Sequence, residues 1–383
     1  MLRLGAIGIS ALLAMALWAG EPPEAVPPTA PRHDDEPHRV VEAIARLKSP
    51  DRKDRLRALE TIKHFPDKAI PYLIRAARND DPVFRARVAN ALALVGKGDR
   101  EALWAIGVLL KDPELFVRRE AVAALVKAGD KSHIPQIEPL LADREAAVRG
   151  DAVHALAEME PEKALDRMKG LLKNADARVR RSALEELVRR KAPDLPQLLP
   201  PLLKDADGGI RGDATAALVP LVKKDAAGQF LELLADADPY VKTTAISALK
   251  RLGAREAEPR LLGLLQDPDA SVREEAVSAL GLLGGKAAVT ALMGQLTAPS
   301  KTLRERAAMS LGFLRATARP AVPGLIQLLS DDDAGVREKA DFALRLILKA
   351  NVGFEPGSSV ERRQEAIVKW QEAWSKAKDT KGK

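Results

Sequence analysis

The sequence predicts an all-α solenoid of about ten stacked helical hairpins, and three observations carry that prediction. A segment like the one from Asp267 to Leu283 returns about every thirty-one residues. Within each copy, apolar and small residues recur at i, i+4 and i+8, as in Val272, Ala276 and Leu280, which is one stripe of an α-helix. Short acidic turns of the kind that start helices lie between the helical patterns. A helical pair this short cannot bury its apolar face alone, so successive pairs must stack into one continuous core.

The register is set by a basic residue at Arg55, Arg85, Arg118, Arg149, Arg180, Arg211, Lys242, Arg273, Arg304 and Arg337, with gaps of 30, 33, six times 31, and 33. We number positions in each unit from this residue. Position +3 is Ala in every unit except at Val88, +7 is Leu or Ile, and −1 is apolar in all but the first unit. These residues mark the second helix of each pair. The small side chain at +3 lets neighbouring helices approach, and a larger one is expected to overpack the contact at about 1–3 kcal/mol.

A second apolar pattern upstream, as in Leu261, Leu262, Leu264 and Leu265, marks the first helix. Pro71, Pro135, Pro259 and Pro323 lie fourteen residues before the register position and are expected at or near its start. The turns between the two helices, such as Asp112-Pro-Glu, Asp205-Ala-Asp and Asp267-Pro-Asp, supply an Asp to cap the next helix. The turn Thr297-Ala-Pro-Ser300 lacks these acids, and Pro220 is expected to end its helix early.

The residues Leu264, Leu265, Asp267, Val272, Arg273, Ala276, Ala279 and Leu280 resemble HEAT repeats, in the short form found in phycobilisome lyases. The resemblance covers residues 39 to 350. It implies an α-solenoid and not a particular reaction, because such repeats serve unrelated roles.

Residues 1–20 carry one early charge, Arg3, an apolar run from Leu4 to Ala19 and small residues near Gly20, which reads as a signal peptide. Export to the periplasm or beyond is the expected localisation, with no membrane insertion beyond that segment. Residues 21–38 are acidic and proline-rich, poor in large apolar residues, and read as a linker. Residues 39–350 form the repeat array. Residues 351–383 hold Trp370 and Trp374 on one helical face, which suits a cap closing the last repeat, followed by a basic tail.

Basic and acidic residues number 61 and 54, giving a net charge of +7 that is near balance for 383 residues. No segment stands out as the concentrated basic stripe of a nucleic-acid groove, and aromatics make up only 3%. The absence of cysteine removes disulfides, thiolate catalysis and Cys-based zinc sites. The five histidines form no His-Glu dipeptide and no i, i+4 pair; His133 and His154 lie within reach across one unit and read as neutral surface side chains. The iron-binding pattern of HEAT-like hydroxylases is therefore missing. Acid pairs such as Glu185-Glu186 and Glu274-Glu275 read as solvated helix faces. The register arginines read as partners of Asp in adjoining turns, each exposed pair contributing about 0–1 kcal/mol.

No catalytic, cofactor-binding or metal residues are therefore expected. What remains is surface. In solenoids of this kind the second helices usually line the concave side, which singles out the polar positions beside the register residue: Arg119, Glu120, Asp151, Arg181, Asp213, Thr243, Thr244, Glu274, Glu275 and Arg306. Their alternating charge suits a protein or peptide partner. The expectation is an exported, non-enzymatic scaffold or adaptor. The alternatives are an accessory enzyme of the phycobilisome-lyase type and a nucleic-acid-binding solenoid.

Overall fold

A computed structural model describes residues 36–379. The expected signal peptide and most of the expected linker lie outside the described residues. Within them every regular element is a helix, and none is long and apolar enough to cross a membrane. The helices fall into two compact units divided between Asp130 and Lys131.

The first unit contains three pairs, whose second helices are Arg52–His64, Pro82–Val95 and Leu115–Ala128. In the second unit the second helices are Ala146–Met159, Ala177–Arg189, Gly208–Leu218, Pro239–Leu252, Ala270–Leu283, Lys301–Phe313 and Ala334–Leu348. Consecutive second helices pack side by side within each unit. The side chains at +3 and +7 are at most 1% exposed in every pair. The periodic Ala and Leu are thus the seam along which the stack closes.

The acidic turns work as two residues with different tasks. The carboxylate at −4 caps the second helix: Asp81 accepts from the Val83 amide, Asp207 from Ile210 and Asp269 from Val272. Glu114 and Glu145, one methylene longer, stand at the same place and make no side-chain cap. The carboxylate at −6 accepts the amide two residues on, as Asp205 does from Asp207 and Asp236 from Asp238. It then receives the register arginine of the preceding unit. Arg180 reaches Asp205 at 2.6 and 2.8 Å, Arg211 reaches Asp236 at 2.6 and 2.7 Å, and Arg304 reaches Asp331 at 2.8 and 3.0 Å.

The same guanidinium donates back to two carbonyls of its own turn, as Arg211 does to Asp205 and Ala206. These pairs are largely buried and bidentate, so they are stronger than the exposed pairs expected from sequence. Where position −6 is Asn174, Arg149 turns to Asp176 instead, at 2.9 Å. Where it is Ala298, Arg273 keeps only the carbonyls of Asp267 and Pro268.

Several local expectations shift. Pro135, Pro259 and Pro323 do open their first helices, but Pro71 sits inside the helix Pro66–Ala76, which Pro66 opens. Pro220 ends its helix at Leu218 and starts a single 3-10 turn. Gly281 lies inside Ala270–Leu283, where a Cβ would meet the backbone of Ser310 at 2.6 Å, so its missing side chain admits the next helix.

Beyond the last pair, the helix Val360–Asp379 packs on Val322–Leu328 and Ala334–Leu348. Trp370 is fully buried there and donates to Asp341 at 3.0 Å. Trp374 is half-buried beneath the Lys378 ammonium. Arg337, the last register residue, donates to the Pro356 carbonyl at 2.7 Å, where earlier units offer the Asp of a following turn.

Candidate binding face

The second helices bury −1, +3 and +7 and turn two other rows outward. The first comprises +1 and +2, which holds the ten residues singled out from sequence. All ten are half-buried, and most of them tie helix to helix. Glu120 accepts from Asn90 at 2.7 Å. Arg181 donates to Asp213 at 2.7 Å, and Tyr240 donates its hydroxyl to the same carboxylate at 2.8 Å. Burial and that hydrogen bond push the Tyr240 phenol up to about 12. Arg306 bridges to Glu274 and Glu275 at 3.4 and 3.5 Å. Thr243 and Thr244 bond back to the Tyr240 carbonyl. Arg119 and Asp151 occupy equivalent places. A row already paired in this way offers its charges to a partner less freely than the sequence pattern implied.

The second row comprises +5 and +9, and it is the more open of the two. From the fourth repeat onward it reads His154 and Glu158, Glu185 and Arg189, Ala216 and Pro220, Ser247 and Arg251, Ser278 and Leu282, Met309 and Phe313, Phe342 and Leu346. The first two of these repeats are charged, and the last three are apolar apart from Ser278. One scaffold therefore presents two chemistries along one face.

The charged part gathers around a residue that sequence reasoning misplaced. Glu186 does not face solvent with Glu185; it is buried against the preceding second helix. Its carboxylate receives His154 Nδ1 at 2.6 Å, Arg189 at 2.6 Å and Arg190 at 3.2 Å. Arg189 and Arg190 also reach Glu158, and Arg190 caps the free Ala157 carbonyl at 2.8 Å. Burial alone would raise the Glu186 carboxyl, but the hydrogen bonds from His154 and Arg189 outweigh it and hold it at about 2. The hydrogen bond to Glu186 in turn raises His154 above its ordinary value. The structure thus sets His154 against Glu186, while His133 is buried beside Gln136.

The signal for this cluster lay in the repeat register. Position +6 is Ala in seven of the ten units, and Glu186 is the one carboxylate that replaces it. One oxygen or nitrogen from each of His154, Glu158 and Glu186 lies within 4.8 Å of the others, a donor set of the size that holds a divalent cation. Two guanidinium groups already occupy both carboxylates. A cation there would face their charge, so the arrangement fits a salt-bridge network that staples two repeats.

A family model for HEAT repeats matches residues 40–105, 134–219 and 228–312, more than half of the chain. Among curated proteins, none matches the sequence. Among solved structures, Kap121p bound to Pho4p superposes with a TM-score of 0.51 at 15% identity, over 84% of this chain and 42% of that one. Kap95p, in a structure with RanGDP, gives a TM-score of 0.55 at 13% identity, over 90% of this chain and 57% of that one. The chain thus spans about half the length of these solenoids, and the likeness is one of fold. The family match and the stacked helical pairs agree: the chain belongs to the HEAT-repeat family.

Proposed function

We propose that this protein is an exported, non-enzymatic scaffold or adaptor that binds a protein or peptide along the outward rows of its second helices, its concave face on the sequence reading. The observation that carries this reading is the +5 and +9 row: a constant core beneath, and above it a face whose chemistry changes from repeat to repeat. Such a face reads an extended partner in register, with charge setting orientation and apolar contacts setting affinity. Asp151, Arg181, Asp213, Thr243, Thr244, Glu274, Glu275 and Arg306 border this row in the second unit, Arg119 and Glu120 hold the same register positions in the first, and all ten are proposed polar contacts. The likeness to Kap121p, which was solved bound to Pho4p, supports a protein partner over a small molecule. Export rests on the apolar run from Leu4 to Ala19.

Affinity capture with the full chain from envelope and cytosolic fractions, followed by cross-linking mass spectrometry, tests the reading. The expected result is a specific envelope protein cross-linked to the second helices. Recovery of a pigment, a nucleic acid or a turned-over small molecule as the specific ligand would overturn it. Amino-terminal sequencing of the chain recovered from the envelope tests export, with a start near Glu21 expected.

A further inference from the structure

The apolar end of the outward row carries more than exposure. Leu282, Phe313 and Phe342 are 54%, 43% and 39% exposed on three consecutive second helices. The two phenyl rings meet edge to face, with centroids 6.2 Å apart. Met309 and Leu346 extend the patch, both half-buried. From the fourth to the seventh repeat this row carries only polar side chains, Ala and Pro, so the last three repeats hold a cluster of large apolar groups left in water.

Charge along the chain between Glu275 and Asp331 is one-sided. From Ala276 to Ser330 the only acid is Glu305, against Lys286, Lys301, Arg304, Arg306, Arg315 and Arg319. This is a local basic run that the balanced total conceals. Three of these cations are committed to the stack: Lys301 to Asp333, Arg304 to Asp331, and Arg306 to Glu274 and Glu275. Lys286, Arg315 and Arg319 make no ion pair among the described residues, nor does Lys349 beyond the last second helix.

Two of these free cations sit where a side chain is least comfortable. Arg315 and Lys349 have φ of 51° and 55°, just past the ends of the helices that carry Phe313 and Phe342. The helices Leu115–Ala128 and Pro239–Leu252 end instead on Gly129 and Gly253, with φ of 74° and 65°. Glycine takes this conformation without steric penalty and other residues do not. Lys191, with φ of 52° past the helix Ala177–Arg189, shares this strain; what sets Arg315 and Lys349 apart is that each follows an exposed phenylalanine, Phe313 and Phe342, on the same stretch of chain.

We infer that the last three second helices form a docking surface for an acidic peptide segment of a protein partner, anchored by apolar side chains on Leu282, Phe313 and Phe342. This inference rests on the scaffold reading above and says which part of the face is used and by what chemistry. A single-stranded nucleic acid fits less well, because the edge of one ring lies against the face of the other and aliphatic groups flank them, whereas bases need open ring faces.

Selection of a random dodecapeptide display library on the full chain tests this, with the F313S/F342S double variant as the parallel target. The expected binders combine aromatic or aliphatic residues with an excess of Asp and Glu. Their affinity should fall at least about tenfold for F313S/F342S and about fivefold for R315G/K349G, and should weaken as salt rises. R315G and K349G relieve the left-handed strain, so their melting temperature should hold or rise while binding falls; a lower melting temperature with unchanged binding would make both cations structural. Peptides that bind F313S/F342S equally well, or that are basic, overturn the inference and leave the scaffold reading standing. A library from which nothing is enriched removes both, and displacement of the selected peptides by a single-stranded oligonucleotide would assign the patch to nucleic acid.

Discussion

Replacing Glu186 by Gln removes one charge and keeps the shape of the side chain, so it isolates the network that joins the helices Ala146–Met159 and Ala177–Arg189. The native carboxyl is held at about 2 against an ordinary 4.5. At about 1.4 kcal/mol per pKa unit that displacement corresponds to ~3 kcal/mol. Breaking one partner out of a buried ion pair typically costs about 3–5 kcal/mol. Arg189 and Arg190 keep Glu158 as a partner in the variant, so E186Q is expected to lose about 2–3 kcal/mol near neutrality.

The loss has a defined pH window. A carboxyl whose folded pKa is depressed contributes fully above its ordinary 4.5 and loses that contribution as pH falls toward about 2. His154 has the opposite sign: its folded pKa is raised above the ordinary 6.5, so its contribution is full below that value and fades as pH rises through the folded one. The gap between wild type and E186Q is therefore widest between 4.5 and 6.5 and narrows on both sides. Urea unfolding followed by circular dichroism, at about pH 3, pH 5.5 and pH 9, measures it. A gap below about 0.5 kcal/mol at the middle pH, or one that does not shrink at pH 3, refutes the argument.

Three further expectations follow from the stack. R211M strands Asp236, which receives the guanidinium at 2.6 and 2.7 Å, and should cost about 3 kcal/mol; R273M breaks only two carbonyl bonds and should cost about 1 kcal/mol, so equal losses in urea unfolding would show that the Asp partner does not matter. G281A forces a methyl against Ser310 and should cost about 1–3 kcal/mol, whereas G294A meets nothing within 4 Å in its helix and should stabilise by about 0.5–1 kcal/mol; melting temperatures that move in the same direction for both would contradict this. W370A empties a fully buried site and leaves Asp341, which burial already pushes above its ordinary value, without its indole donor; a loss of about 3–5 kcal/mol should appear first as faster amide exchange in the last helical pair.

The repeat register made most of the core legible. Because +3 and +7 recur with the helical period, Ala276 and Leu280 are placed in the seam before any coordinates are known, and every counterpart is buried as that period requires. The outward faces of the second helices were legible in part. The polar neighbours of the register residue were located on the second helices, but their pairing across repeats, as between Arg181 and Asp213, depends on how far one helix stands from the next. Glu186 reads from sequence as a solvated acid because its neighbour Glu185 is one. Comparison of its position with the Ala that fills +6 in most units would have marked it.

The sequence by itself determined the all-α class, the hairpin unit and the residues that close each contact, because these depend on local periodicity and on burial, which a thirty-one-residue repeat states many times over. The tertiary structure decided which side chains meet across repeats: Arg211 with Asp236, His154 with Glu186, Phe313 with Phe342. Such pairs join residues about one repeat apart on surfaces where the period is satisfied by any polar side chain. Only the rotation and spacing of successive helices determine whether a given pair is buried, bridged or left open to a partner.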